Sequence, residues 1–367
     1  MKRLPLVAAG LMAFALLLPI GREGEAISYW PGAPASLLCV LVAIAASASL
    51  IRQQGFAMML GLAVAGLLIG AVAPLSILYS GRSLGLGAPG LWIFLIGLGL
   101  LAWQAMEGLA RATQAGLAGI AAPLLFGAWL LYLWEVAVVG FGVPQILLPA
   151  PHQILGQLVS QADVLWGDFR QTFLKAVLAG WVAGCALGFA VAVTIDRVPF
   201  LQRGLLPLGR LISAVPIVGV APIMVMWFGF DWQSKAAVIV VMTFFPMLIN
   251  ATEGLNQSEP MALDLMRSYG AGYWQTFFKV RLPSALPFVF NALKINSTLA
   301  LIGAIVAEFF GSPIAGMGFR ISVEVARMNV DVVWATIAVA AVAGSTFYGL
   351  LALLERGFTF WHPSYRN

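Results

Sequence analysis

The sequence predicts an all-α polytopic membrane protein with about ten transmembrane helices. Three observations lead there. Hydrophobic residues make up 61% of the 367 positions and charged residues only 10%, too few to give a soluble fold of this size a polar skin. Mean hydropathy is +0.94. Apolar runs long enough to cross a hydrocarbon layer recur along the whole chain.

The first expected span, 4–20, follows the basic MKR and leaves the bilayer at LPIGREGE. A signal peptide is the competing reading, but no small-x-small cleavage site follows cleanly. Spans at 34–51, 56–79 and 89–106 come next, joined by short loops with few ionisable groups. A fifth covers 116–139. The sixth, 172–194, carries Gly180, Gly184 and Gly188 at intervals of four, a spacing that lets helices approach closely, within the bundle or at a dimer contact. The seventh and eighth, 210–228 and 235–251, are interrupted by Pro216, Pro222 and Pro246, which either kink the helices or line a path. The last two are 285–307 and 332–354. Longer loops and internal Pro and Gly begin near residue 112. The chain therefore divides into a four-helix accessory block, 1–112, and a functional core of six spans, 113–367.

Lys/Arg bias sets the expected orientation. With the N-terminus in the cytoplasm, Lys2, Arg3, Arg52, Arg111, Arg197, Arg203, Arg210, Arg267, Lys279, Arg281, Arg356 and Arg366 lie inside. Arg22, Arg82, Arg170, Lys175, Lys235, Arg320 and Arg327 lie outside. Twelve against seven favours both termini inside, and the net charge of +5 reflects this bias rather than a nucleic-acid surface. Cys39 and Cys185 both sit in apolar runs, as small hydrophobes rather than a disulfide or metal framework. The two histidines, His152 and His362, fall on opposite sides of the membrane and cannot share a metal or a catalytic site, which removes a membrane metalloprotease. Glu135, beside Trp134, reads as an interfacial residue.

One polar stretch stands out, RSYGAGYWQTFFKVRLPSALP, from Arg267 to Pro287. Ser258, Glu259 and Pro260 signal a helix start just before it. MALDLMRSYG then puts Met261, Ala262, Leu265, Met266 and Tyr269 on one face, with Asp264, Arg267 and Ser268 elsewhere. Gly270 and Gly272 stop that helix. A second short helix, YWQTFFKV, is expected to break at Leu282-Pro283. Two short helices with an exposed apolar face make a plug for a partner's groove.

The spacing Asp264, Leu265, Met266, then Gly270, Val280, Leu282 and Pro283, resembles the cytoplasmic signature of binding-protein-dependent ABC importer permeases. Asp264-Leu265-Met266 stands where that family has Glu-Ala-Ala, so only the acid is kept. The likeness extends through LLPAP (147–151), APIMVMWFGF (221–230), FFPMLINATEGL (244–255), AEFF (307–310), GMG (316–318) and LLALLERGFTFW (350–361). It covers roughly 116–361 and is similar to the nitrate, sulfonate and taurine branch, which includes pyrimidine-precursor and riboflavin importers. The short FWHPSYR leans toward the latter two.

The resemblance implies a type I permease core, with residues 252–283 as the coupling loop that docks on a separate ATPase. It also implies two ATPase subunits, an extracytoplasmic solute-binding protein, a permease homodimer in membrane lipid, and a bacterial inner-membrane location. Consistently, the sequence holds no G-x-x-x-x-G-K-[ST] loop, so Mg-ATP would be bound by the partner and the chain itself needs no cofactor. Candidate translocation-path residues are Pro222, Asn291, Lys294 and Glu308. Lys294 either attracts a polar or anionic substrate or is satisfied by carbonyls or by snorkelling. Glu308 gates the outer mouth, meets the binding protein or is simply interfacial. An ion-coupled secondary transporter, for which Lys294 is thin support, and a non-transporting scaffold are the alternatives.

Overall fold

The computed structural model describes residues 3–23, 26–50, 56–80, 84–112, 120–198, 204, 217–311 and 314–360. Among them, seven helices are long and apolar enough to cross a membrane, and three shorter apolar helices accompany them. Each of these ten falls on one expected span. Pro216, His362, Arg203 and Arg210 lie outside the described residues.

Two compact units divide the chain, Met1–Ile154 and Leu155–Asn367. The first contains α1 (Arg3–Ala15), a hairpin of β1 (Gly21–Glu23) and β2 (Ala26–Ser28), α2 (Pro34–Ser49), α3 (Phe56–Leu78), α4 (Pro89–Ala112) and α5 (Ala121–Gly140). Its core is built around Trp30, Phe94, Met12, Leu91 and Leu98. Trp30 sits edge-on to Phe94 at 5.5 Å and donates its indole N–H to the Ala15 carbonyl at 2.9 Å. The unit extends past residue 112 because α5 packs on α3, where the Tyr132 hydroxyl donates to the Ala71 carbonyl at 3.1 Å. Glu135 of α5 is buried; it accepts from the Tyr79 hydroxyl at 2.5 Å and lies 2.7 Å from His152 Nδ1.

The second unit begins within α6 (Pro151–Ser160). α7 (Ala162–Phe169) runs through a wide π-type turn, Arg170–Val177, into α8 (Leu178–Arg197). α9 (Ile217–Phe228) and α10 (Trp232–Asn256) follow, then α11 (Pro260–Ser268) and α12 (Tyr273–Thr276). A second π-type turn, Phe277–Arg281, leads into α13 (Leu282–Phe309), before α14 (Met317–Ala326) and α15 (Val330–Phe358). α13 packs on α10, α15, α14 and α9, making it the hub of the unit.

The three glycines of α8 all face α10. A Cβ on Gly184 would come within 2.0 Å of Thr243 Oγ1, one on Gly180 within 2.6 Å of Ile239 Cβ, and one on Gly188 within 2.5 Å of the Phe244 carbonyl. The stripe is intramolecular packing. Pro246 is carried inside α10, and Asn250 satisfies the Pro246 carbonyl at 2.8 Å. Gly184→Leu is expected to cost about 1–3 kcal/mol by overpacking and to lower the thermal midpoint in detergent. Gly349→Leu on α15, whose Cβ would meet nothing within 4 Å, is the control and should leave it unchanged. Size-exclusion chromatography after heating reads both.

Candidate functional site

The loop between α10 and α13 is held at its ends and bare in its middle. Ser258 does not cap α11; its hydroxyl returns to the Leu255 carbonyl, and Glu259 takes the cap position with Pro260 opening the helix. α11 ends in a paired turn of two hydrogen bonds, Gly270 N–H to the Arg267 carbonyl at 2.9 Å and Ala271 N–H to the Met266 carbonyl at 3.0 Å. That geometry needs the left-handed backbone of Gly270, φ +68°. Gly272 does not extend the stop: it begins α12, with its N–H donating to Gln275 Oε1 at 3.0 Å.

No residue of α11 is buried. Met261 is 76% exposed and Tyr269 82%, with Leu265 between them on the same face. Asp264 and Arg267, 3.2 Å apart, are solvent-exposed beside this ridge. An apolar ridge this exposed is the form of a docking element.

The other half of the loop is anchored. Phe277 is buried against Leu255 of α10 and Ala285 of α13. Asp196, at the end of α8, accepts from Arg281 Nη1 on both carboxylate oxygens, at 2.5 and 2.6 Å, and from the Tyr273 hydroxyl at 2.9 Å. Arg197 lies over the Tyr273 and Trp274 rings, 4.5 and 5.3 Å from their centroids. The expected break at Leu282-Pro283 is absent. The π-type turn at Phe277–Arg281, which contains Val280, widens the helix just ahead of Pro283, and the helix continues through Pro283 into α13.

The four path candidates are not gathered in one place. Pro222 is half-buried inside α9. Asn291 and Lys294 are one turn apart on α13. Asn291 is exposed, whereas Lys294 Nζ bonds Glu355 Oε2 of α15 at 2.6 Å. Glu308 lies about 21 Å further along α13 at 1.5 Å per residue. It is 3% exposed, accepting from Thr172 Oγ1 at 2.7 Å and the Gly318 N–H at 2.6 Å. Around it, Gly316 (φ +139°) donates to Asp168 at 2.8 Å, Met317 N–H donates to Thr172, and Arg320 Nε donates to Asp168 at 2.8 Å. A Cβ on Gly316 would fall within 2.6 Å of the Glu308 carboxylate. The hydrogen bond to Asp168 raises the Arg320 pKa further, keeping the guanidinium charged. Asp196, Glu355, Thr172 and Asp168 went unremarked in the sequence; their only signal there is an ionisable or polar side chain in or beside an apolar span.

These elements define a multi-pass membrane protein with an exposed loop between two long apolar helices. The family model for the binding-protein-dependent transport system inner membrane component matches residues 180–360. A probable ABC transporter permease protein of Haemophilus influenzae is 30% identical over 235 residues, 64% of this chain and 95% of the relative. The formylaminopyrimidine transport permease protein ThiX of Halalkalibacterium halodurans is 31% identical, covering 65% of this chain and 95% of the relative. The riboflavin transport system permease protein RibX of Chloroflexus aurantiacus is 30% identical, covering 64% and 88%. The chain belongs to the binding-protein-dependent ABC transporter permease family, as an integral multi-pass membrane component for small solutes.

Two substitutions test the loop. Gly270→Val adds a Cβ that meets nothing within 4 Å, so its effect is the backbone cost of the left-handed conformation, about 1–2 kcal/mol. It is expected to cut ATPase co-purification while membrane insertion, read by fractionation, is unchanged. Asp196→Ala removes the shared acceptor of Arg281 and Tyr273, a loss of about 2 kcal/mol. It should make the 273–281 segment more sensitive to limited proteolysis.

Proposed function

We propose that this chain forms the translocation path of an ATP-driven importer for a small polar solute. The carrying observation is the loop: an exposed apolar ridge on α11 joined to a segment anchored on α8, α10 and α13. A separate ATPase binds Mg-ATP and grips the ridge, and its closure moves α10 and α13 through the loop. Asp264, Leu265, Met266 and Gly270 belong to the docking half; Val280, Leu282 and Pro283 belong to the half that continues into α13. Two copies of the chain in the lipid bilayer enclose the path, and an extracytoplasmic binding protein delivers the solute. Both termini and the loop face the cytoplasm. Residues 1–112 are an accessory block and 113–367 the transport core; about two thirds of this chain covers almost the whole length of its relatives, which leaves about a third for such an addition. The named relatives point to a pyrimidine precursor or flavin, with sulfonates and taurine as the other substrates of similar permeases.

The test is a mild-detergent pull-down of the tagged chain from cells expressing the whole system, followed by ATPase assay of the eluate with candidate binding proteins. Vanadate-sensitive hydrolysis that one loaded binding protein stimulates is the expected outcome. An eluate without ATPase, together with no partner cross-linked at position 270 in cells, would return the chain to the ion-coupled or scaffold class.

A further inference from the structure

α13 is enclosed by its neighbours except along one narrow stripe. Its exposed residues are Asn291, Ile295, Thr298, Ile302 and Phe309. At 3.6 residues per turn these lie within about 60° of one another on the helix circumference. The exposed aliphatic residues of α15, Ile337, Val342, Leu350, Leu353 and Leu354, suit lipid. The α13 stripe does not: an amide and a hydroxyl stand seven residues apart at membrane depth, and neither side chain has a hydrogen-bond partner among the described residues. Polar groups left bare in a span are tolerated where they face water or a cavity rather than lipid.

Among the described residues, the charges nearest this stripe are already engaged. Lys294, one turn from Asn291, is tied to Glu355, with both side chains largely buried. Lys235 is 1% exposed and donates to the Phe230 carbonyl. Glu308 has both carboxylate oxygens occupied, by Thr172 and by Gly318. α9 carries no Asp, Glu, Lys or Arg, and α8 carries none between Leu178 and Ile195. An anion moving along such a wall would lose its hydration with no free cation among the described residues to replace it.

We propose that the Asn291–Thr298 stripe is the wall along which the solute moves, and that the solute is uncharged, with hydrogen-bonding groups and some apolar surface, rather than an inorganic or sulfonate anion. Asn291 supplies a donor and an acceptor, Thr298 a hydroxyl, and Ile295 and Ile302 the apolar rungs between them. This rests on the permease reading above and narrows it.

The test uses the permease–ATPase complex in membrane vesicles, with Cys39→Ala and a single reporter, Thr298→Cys. Asn291→Cys is the second reporter, in case the first does not assemble. The parent complex, in which Cys185 is 4% exposed, gives the background. Three water-soluble methanethiosulfonates are compared, carrying hydroxyethyl, sulfonatoethyl or trimethylammonioethyl groups, each rate divided by that for a free thiol in solution. The expected result is labelling in which the neutral reagent is at least as fast as either ion. A preference of about tenfold or more for the anionic reagent, the signature of a cation-lined path, would overturn the substrate class and leave the permease reading standing. No labelling by any of the three would show that water does not reach the stripe, and would overturn the path assignment itself.

Discussion

The contact between α8 and α10 is the constraint on which the second unit depends. Three glycines bring the two backbones so near that side chains and carbonyls of α10 fill the space a Cβ would need. Helix association in lipid lacks the hydrophobic drive available in water, so it relies on such close packing. With the helices this close, one amide can tie three of them together. Asn296 of α13 donates to the Thr243 carbonyl of α10 at 2.8 Å and to Cys185 Sγ of α8 at 3.2 Å. The same approach brings the end of α8 to the foot of the loop, where Asp196 meets Arg281.

The ion pairs inside this unit share a pattern. Asp196–Arg281, Lys294–Glu355 and Asp168–Arg320 each join elements far apart in sequence, and each has at least one largely buried partner. Buried pairs contribute little net stability, because desolvation offsets attraction. A slipped register, however, would strand a charge in an apolar surrounding, and that is costly. The pairs therefore act against wrong packings more than for the right one. They also leave the walls between them neutral.

The span pattern was legible because hydrophobic length is a local property: each of the ten apolar runs became a helix, although α1 and α2 are shorter than a full crossing. Gly270 was legible for the same reason, since a helix stop is decided by one residue's backbone. Pro283 was misread. The rule that proline ends a helix is also local, but a π-type turn just ahead of it absorbed the strain, and nothing in RLPSALP announces such a turn. The role of Lys294 stayed open until its partner was seen. Glu355 lies 61 residues away, and no periodicity connects positions on different helices. Asp196 and Arg281, 85 residues apart, were hidden in the same way. Glu308 looked like a mouth residue by position, yet the fold turns its carboxylate inward onto the Gly316–Gly318 turn.

Because Pro283 does not interrupt it, the helical stretch from Tyr273 to Phe309 is one piece of 37 residues, or about 55 Å at 1.5 Å per residue. Trp274 sits at one end, and Glu308, gripping the Gly316–Gly318 turn, at the other. The π-type turn at Phe277–Arg281 and Pro287 inside α13 are the two places where this stretch is able to bend. Beyond Pro287 the helix runs to Phe309 without another proline, and Asn296 ties its middle to α8 and α10. The stretch is therefore jointed in its first half and stiff beyond it, so the loop end is free to swing while the part held at Asn296 and Glu308 keeps its shape.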